Sequence, residues 1–222
     1  MSSEIKSTTV QTNSLKDKTG TRELASDSGS AWSWGSGLPS GSIVQVQSTQ
    51  YGTASGESGR MATLTHDTDY VLQSGGSTSG GGASGILDVN ITPKITGSKI
   101  WLQAHWFGEM DTDRGYETVF FFWRSSSSTH TKLASFDHSG ASMTGISASA
   151  QSYGHADDAA TTPETCMMQF FDTHGINAET PITYKVGFRT RNSGMDILCT
   201  NRTIGNAQEN GESSICAIEL AP

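Results

Sequence analysis

Apolar residues in this chain recur at every second position, in short runs cut by Gly, Pro, Ser and Thr, and no run carries a convincing helical spacing. In "ITYKVGFRTR", Ile182, Tyr184, Val186 and Phe188 oppose Thr183, Lys185 and Arg189. "ILDVNI" points Leu87, Val89 and Ile91 one way, with Ile86, Asp88 and Asn90 the other way. "SIVQVQSTQY" sets Val44 and Val46 against Gln45 and Gln47, "TCMMQFF" puts Cys166, Met168 and Phe170 on one face, and "ATLTHDTDYVLQ" is a weaker strand. Several short strands separated by turns predict an all-β sandwich or barrel and exclude a parallel α/β fold. The hydrophobic share of 34% and the 25 glycines suit short strands joined by many turns and argue against helix bundles.

Two strands are apolar on both faces. "KIWLQAHWF" sends Ile100, Leu102, Ala104 and Trp106 inward and Trp101, Gln103, His105 and Phe107 outward, after the turn "TPKITGS". "YETVFFFWR" carries Val119, Phe121 and Trp123 on one face, Phe120 and Phe122 on the other. A strand apolar on both sides needs cover on both sides. The expectation is that another subunit covers Trp101, Phe107, Phe120 and Phe122.

Residues 1–41 differ from the rest. Their apolar residues, Ile5, Val10, Leu15 and Leu24, come singly and match neither a helical face nor a long strand. Such a segment buries too little surface to offset backbone ordering, roughly 1–2 kcal/mol per residue. It is expected to be ordered by other chains or not at all, with "GSGLPSG" as a hinge before a head domain over 42–222.

A net charge of −8 with no basic stripe disfavours nucleic acid as a partner. No apolar run reaches the length of a membrane helix, and the first twenty residues lack the apolar core of a signal peptide. Cys166, Cys199 and Cys216 are expected to be reduced, small hydrophobes, because their spacing fits no zinc site.

Chemistry-bearing patterns reduce to loop composition. No nucleophile elbow occurs, and "SGSGLPSGS" is a loop. The carboxylate pairs Asp111 with Asp113 and Asp157 with Asp158 fall in turn-rich stretches where Asp bonds nearby amides. Asp111, Asp113 and Glu117 lack the other positions of a calcium loop. The histidines show no metal-ligand spacing, and "GGSTSGGGASG" lacks the Lys-Ser/Thr of a phosphate loop, so it is expected to be a flexible loop. No enzymatic activity, metal or cofactor is expected.

As a set, "SGSIVQVQSTQY", "VNITPKITGSKIWLQA", "PITYKVGFRTR" and "CTNRTIGN…NGESSICAIEL" resemble the β-sandwich domain of virion-surface proteins of tailed, particularly marine, bacteriophages. "SEIKSTTVQTNSLKDKTGTRELASDSGS" is similar to the short segment that attaches phage fibres and spikes to the particle. The resemblance covers most of the chain. It implies a jelly-roll-like antiparallel β-sandwich with an extended N-terminal attachment arm, assembled in the host bacterial cytoplasm as a homotrimer and displayed on the virion surface. Its partners would be capsid, tail or baseplate proteins. Ile5, Val10, Leu15 and Leu24 would be the virion-anchoring contacts.

The absence of a repetitive shaft between residues 41 and 42 points to a compact spike, short fibre or head-surface protein. Host attachment would place a cell-surface glycan or protein against loops 73–85, 124–131 and 137–163, with Tyr153 and His155 at the tips. The alternatives are a capsid decoration protein without a receptor and a capsule-degrading enzyme.

Overall fold

Two six-stranded antiparallel sheets carry the alternating segments in the computed structural model, which describes residues 14–16, 23–27, 32–34, 38–52, 59–111, 117–134, 143–148, 163–191, 194, 196–204 and 210–222. The first sheet contains β4 (Ile43–Tyr51), β15 (Ser213–Leu220), β8 (Lys99–Met110) and β12 (Glu164–Asp172), in that order, with β14 (Ile197–Thr200) and β5 (Arg60–Ala62) alongside the far end of β8. The second contains β7 (Asp88–Ile91), β13 (Ile182–Thr190), β9 (Thr118–Ser126) and β10 (Thr129–Leu133). In this sheet β6 (Thr68–Val71) extends the β7 edge, and β11 (Ser147–Ala148) flanks β9. Strands β4, β7, β8, β9, β10, β12, β13 and β15 pass between the two sheets in jelly-roll order. Among the described residues no α-helix forms, and none is long and apolar enough to cross a membrane.

The inward faces of β7, β8 and β13 are the ones the alternation predicts. Ile100, Leu102, Trp106, Ile182, Tyr184, Val186 and Phe188 are all fully buried. Trp106 packs against Phe120 at 4.9 Å between ring centroids and donates its indole N–H to Thr200 Oγ1 (3.0 Å), so its one polar atom is satisfied inside the core.

Strand β9 corrects two expected interface residues. Phe120 and Phe122 face the sandwich interior and are fully buried within one chain. Phe121 and Trp123, on the opposite face, are buried too, beneath Val71, Ala83 and Ile146. The second layer is thus supplied by the same chain, in part by Ala83 from the segment expected to be a flexible loop. That segment lies on the sheet through bonds from Gly80 N to Asp69 O (2.8 Å) and from Ile86 N to Leu72 O (2.9 Å). Two glycines serve close approach: a Cβ on Gly81 of this segment would stand 2.6 Å from the Trp123 ring, and one on Gly187 of β13 would meet Phe121 at 2.6 Å. Lys132 completes the roof, its Nζ 4.0 Å from the Phe121 centroid and 2.9 Å from Asp69.

Strand β4 also departs from a simple reading. Gln45, half-buried, pairs with Glu219 and turns inward, while Val46 is 52% exposed on the outside and Val44, where the register shifts, is buried. Glu219 is fully buried and accepts from Gln45 Nε2 (2.6 Å), Lys94 N (2.9 Å) and Ile95 N (3.0 Å). A polar inward residue on β4 is therefore matched to a buried carboxylate.

Residues 38–41, expected to be hinge, close onto the body. Leu38 packs with Val44, Ile95 and Ala221; Gly41 N donates to Ala221 O (3.0 Å) and Ala221 N to Ser42 O (2.8 Å). Further upstream, β1 (Ser14–Lys16), β2 (Glu23–Asp27) and β3 (Trp32–Trp34) pair in sequence order, with Leu15 opposite Ala25 and Ala25 opposite Trp34. Strands of three to five residues are too short to show a period, which is why the spacing predicts none.

One buried carboxylate carries a pH signature. Glu164, 8% exposed at the start of β12, has its pKa pushed from 4.5 up to about 7 by burial, against the Met110 N–H it accepts (3.0 Å) and with the Glu109 carboxylate adding to the rise. The folded state holds this proton more tightly than the unfolded chain. The contribution of Glu164 to stability is therefore full below pH 4.5 and is lost as pH rises through about 7, a difference of about 3 kcal/mol. Denaturant midpoints between pH 5 and 8 should show this slope, and Glu164→Gln should flatten it.

Candidate functional site

The outward face of the first sheet is the surface that the chain leaves incomplete. Registers across four strands align Val46, Ile218, Trp101 and Phe171 in one row. The next row is Ser48, Cys216, Gln103 and Gln169, and the third is Gln50, Ser214, His105 and Met167. Alternation dictates this face on β8, β12 and β15, where each residue is the outward neighbour of a buried residue on the same strand. Trp101 and Phe171 stack at 5.5 Å with planes 10° apart, yet Phe171 stays 57% exposed and Met167 75% exposed. Ile43, 62% exposed, extends the apolar surface beyond Val46 at the start of β4.

Two further features mark the face. The three rows hold no Asp, Glu, Lys or Arg, although the chain carries a net charge of −8. And Trp101 Nε1 is buried with no hydrogen-bond partner among the described residues. Between the rows lies a shallow groove of about 440 Å³, lined by Gln103, His105, Met167, Gln169, Ser214 and Cys216. His105 Nδ1 hydrogen-bonds to the Glu212 carbonyl (3.2 Å), which ties the groove wall to the chain entering β15.

Of the four expected interface residues, Trp101 and Phe107 therefore lie on this outward face, both half-buried, while Phe120 and Phe122 belong to the core. Phe107 is partly covered by its own chain, since a Cβ on Gly211 would meet its ring at 2.6 Å. Val46, Ile218, Met167 and Phe171 were missed as contacts. Only pairing places them beside Trp101, and pairing between distant strands is not written in local periodicity. Cys216 is a half-buried thiol on this face instead of a core residue, while Cys166 and Cys199 are buried; burial raises the pKa of Cys216 and of Cys166.

The remaining expected sites divide by location. Leu15 and Leu24 sit on β1 and β2, while Ile5, Val10, Tyr153 and His155 lie outside the described residues, as do Asp113, Asp157 and Asp158. Asp111 Oδ1 accepts from Asp196 N (3.1 Å), which holds the end of β8 to the approach of β14. Among the described residues no group of three His, Cys, Asp or Glu gathers.

Burial predicts opposite outcomes for two phenylalanines on the two sheets. Phe120→Ala should cost about 3–5 kcal/mol, the scale for emptying a packed aromatic site. Phe171→Ala should cost less than about 1 kcal/mol in the isolated chain. Urea unfolding at protein concentrations too low for self-association measures both.

No protein-family model and no curated protein matches the chain. Among solved structures it is similar to Eiger TNF from S. frugiperda at 13% identity, with a TM-score of 0.38, over 81% of this chain and 93% of that one. It is also similar to the PRD1 vertex protein P5 at 8% identity, with a TM-score of 0.32, over 81% of this chain and 99% of that one.

Proposed function

We propose that this chain is a non-enzymatic structural protein of a tailed-bacteriophage particle: a trimeric short fibre, spike or head-surface protein. The observation that carries the reading is the set of three rows without Asp, Glu, Lys or Arg on the outward face of β4, β15, β8 and β12, with exposed Lys99 at their edge. Rows with no ionised group let copies of an acidic chain meet there without like-charge repulsion. Stacked Trp101 and Phe171, with Val46, Ile218 and Met167 around them, supply the aromatic and methionine-rich centre that subunit contacts favour. The three-fold state and the virion location follow from the sequence resemblance.

In this reading residues 1–41 are the anchor. Ile5, Val10, Leu15 and Leu24 give the apolar contacts, and short strands add to a partner's sheet on the capsid, tail or baseplate. The head is displayed on the virion surface after assembly in the host cytoplasm. Repetition of the head strengthens weak contacts with a repeated host-surface ligand.

Two experiments test this. Sedimentation of the full chain should give a species of three chain masses, and Val46→Lys with Phe171→Lys should give folded monomer; a monomeric parent protein would remove the assembly. Antibody against residues 42–222 should label intact particles in electron micrographs, and particles lacking the protein should adsorb poorly. Particles that adsorb normally but break easily would instead make it a decoration protein, and unlabelled particles would end the virion reading.

A further inference from the structure

The inner surface of the β9–β10 hairpin changes character along its length. At Phe122 and Leu133 the paired residues are core. One step on, the pair is Arg124 and Thr131, and the next is Ser126 and Thr129. Ile176, from the segment between β12 and β13, faces them across a crevice of about 340 Å³ that Ser127 also lines. The sandwich thus ends in a small cleft with hydroxyls and a guanidinium on one wall and an aliphatic side chain on the other.

Arg124 is held in place from behind. Its Nη1 donates to both oxygens of Asp172 (2.7 and 3.0 Å), and Tyr184 Oη, fully buried, donates to Asp172 Oδ2 (2.8 Å). The Asp172 carboxylate is itself 4% exposed, so this anchor is rigid and desolvated. Nε and Nη2 of Arg124 have no partner among the described residues, nor do the hydroxyls of Ser127, Thr129 and Thr131. Ser126 makes one long bond, to Pro181 O at 3.4 Å.

We propose that this crevice is a subsite for a neutral sugar unit of a glycan. Directional donors and hydroxyls around an aliphatic wall match the hydroxyls and C–H face of a pyranose. Charge selects the neutral form. Asp172 already compensates Arg124, and the chain as a whole is acidic, so an anionic sugar gains little attraction here. The hairpin belongs to the other sheet, and none of the residues lining the crevice is in the three uncharged rows.

This deepens the host-attachment reading and rests on it for its biological sense, but the test needs only purified protein. Saturation-transfer NMR on the full chain, with a panel of neutral oligosaccharides and matched uronic-acid oligosaccharides, should show transfer to one or more neutral sugars. Thr129→Val with Thr131→Val should weaken that binding about tenfold at an unchanged melting temperature. Should the double variant melt early, Thr129→Ala on the exposed hairpin takes its place. A blank panel, transfer confined to the uronic acids, or binding indifferent to the substitutions would overturn the subsite. None of these results touches the particle labelling, so the failure of the crevice and the failure of the virion reading are told apart.

Discussion

Glu219 is the point on which the arrangement of strands depends. A carboxylate removed from water is costly unless its lone pairs are met, and here a glutamine amide and two backbone amides meet them. Those donors come from β4 and from the turn between β7 and β8, far from β15 in sequence. One buried charge thus fixes three segments in one register at one corner of the sandwich. Three separate pieces of sequence meet at that corner. "IVQV" supplies the amide, "ITPK" the turn, and "AIEL" the carboxylate.

The strands that were legible in the sequence are those with one polar and one apolar face. For β7 and β13 a period of two is enough, because only one parity can enter the core. Strand β9 defeats this logic. Phe120, Phe121, Phe122 and Trp123 make both parities aromatic, and nothing local says which one faces the other sheet. Gly81, in a segment that reads as flexible, and Gly187 on β13 let rings lie against backbone. In β4 the polar parity points inward because Glu219 awaits it, a match between residues 174 apart.

The candidate contact face was half legible for the same reason. Trp101 and Phe107 stand out as surplus apolar residues on a strand whose other face is full. Their neighbours Val46, Ile218 and Phe171 join them only through pairing among four strands, and β4, β15 and β12 come from opposite ends of the chain. The absence of ionised groups from the three rows is likewise a property of the assembled sheet. Each strand alone carries charge nearby: Lys99 and Glu109 on β8, Glu164 and Asp172 on β12, and Glu219 on β15. Burial or position keeps these carboxylates off the shared face.

The clasp between Gly41, Ser42 and Ala221 has a mechanical meaning. Tension arriving along the chain ahead of Leu38 meets backbone bonds to the residue after β15 before it reaches β4. Strand β15 lies inside its sheet, bonded to β4 on one side and β8 on the other. A pull on the chain ahead of Leu38 is therefore shared with an interior strand and does not simply peel the outermost one away.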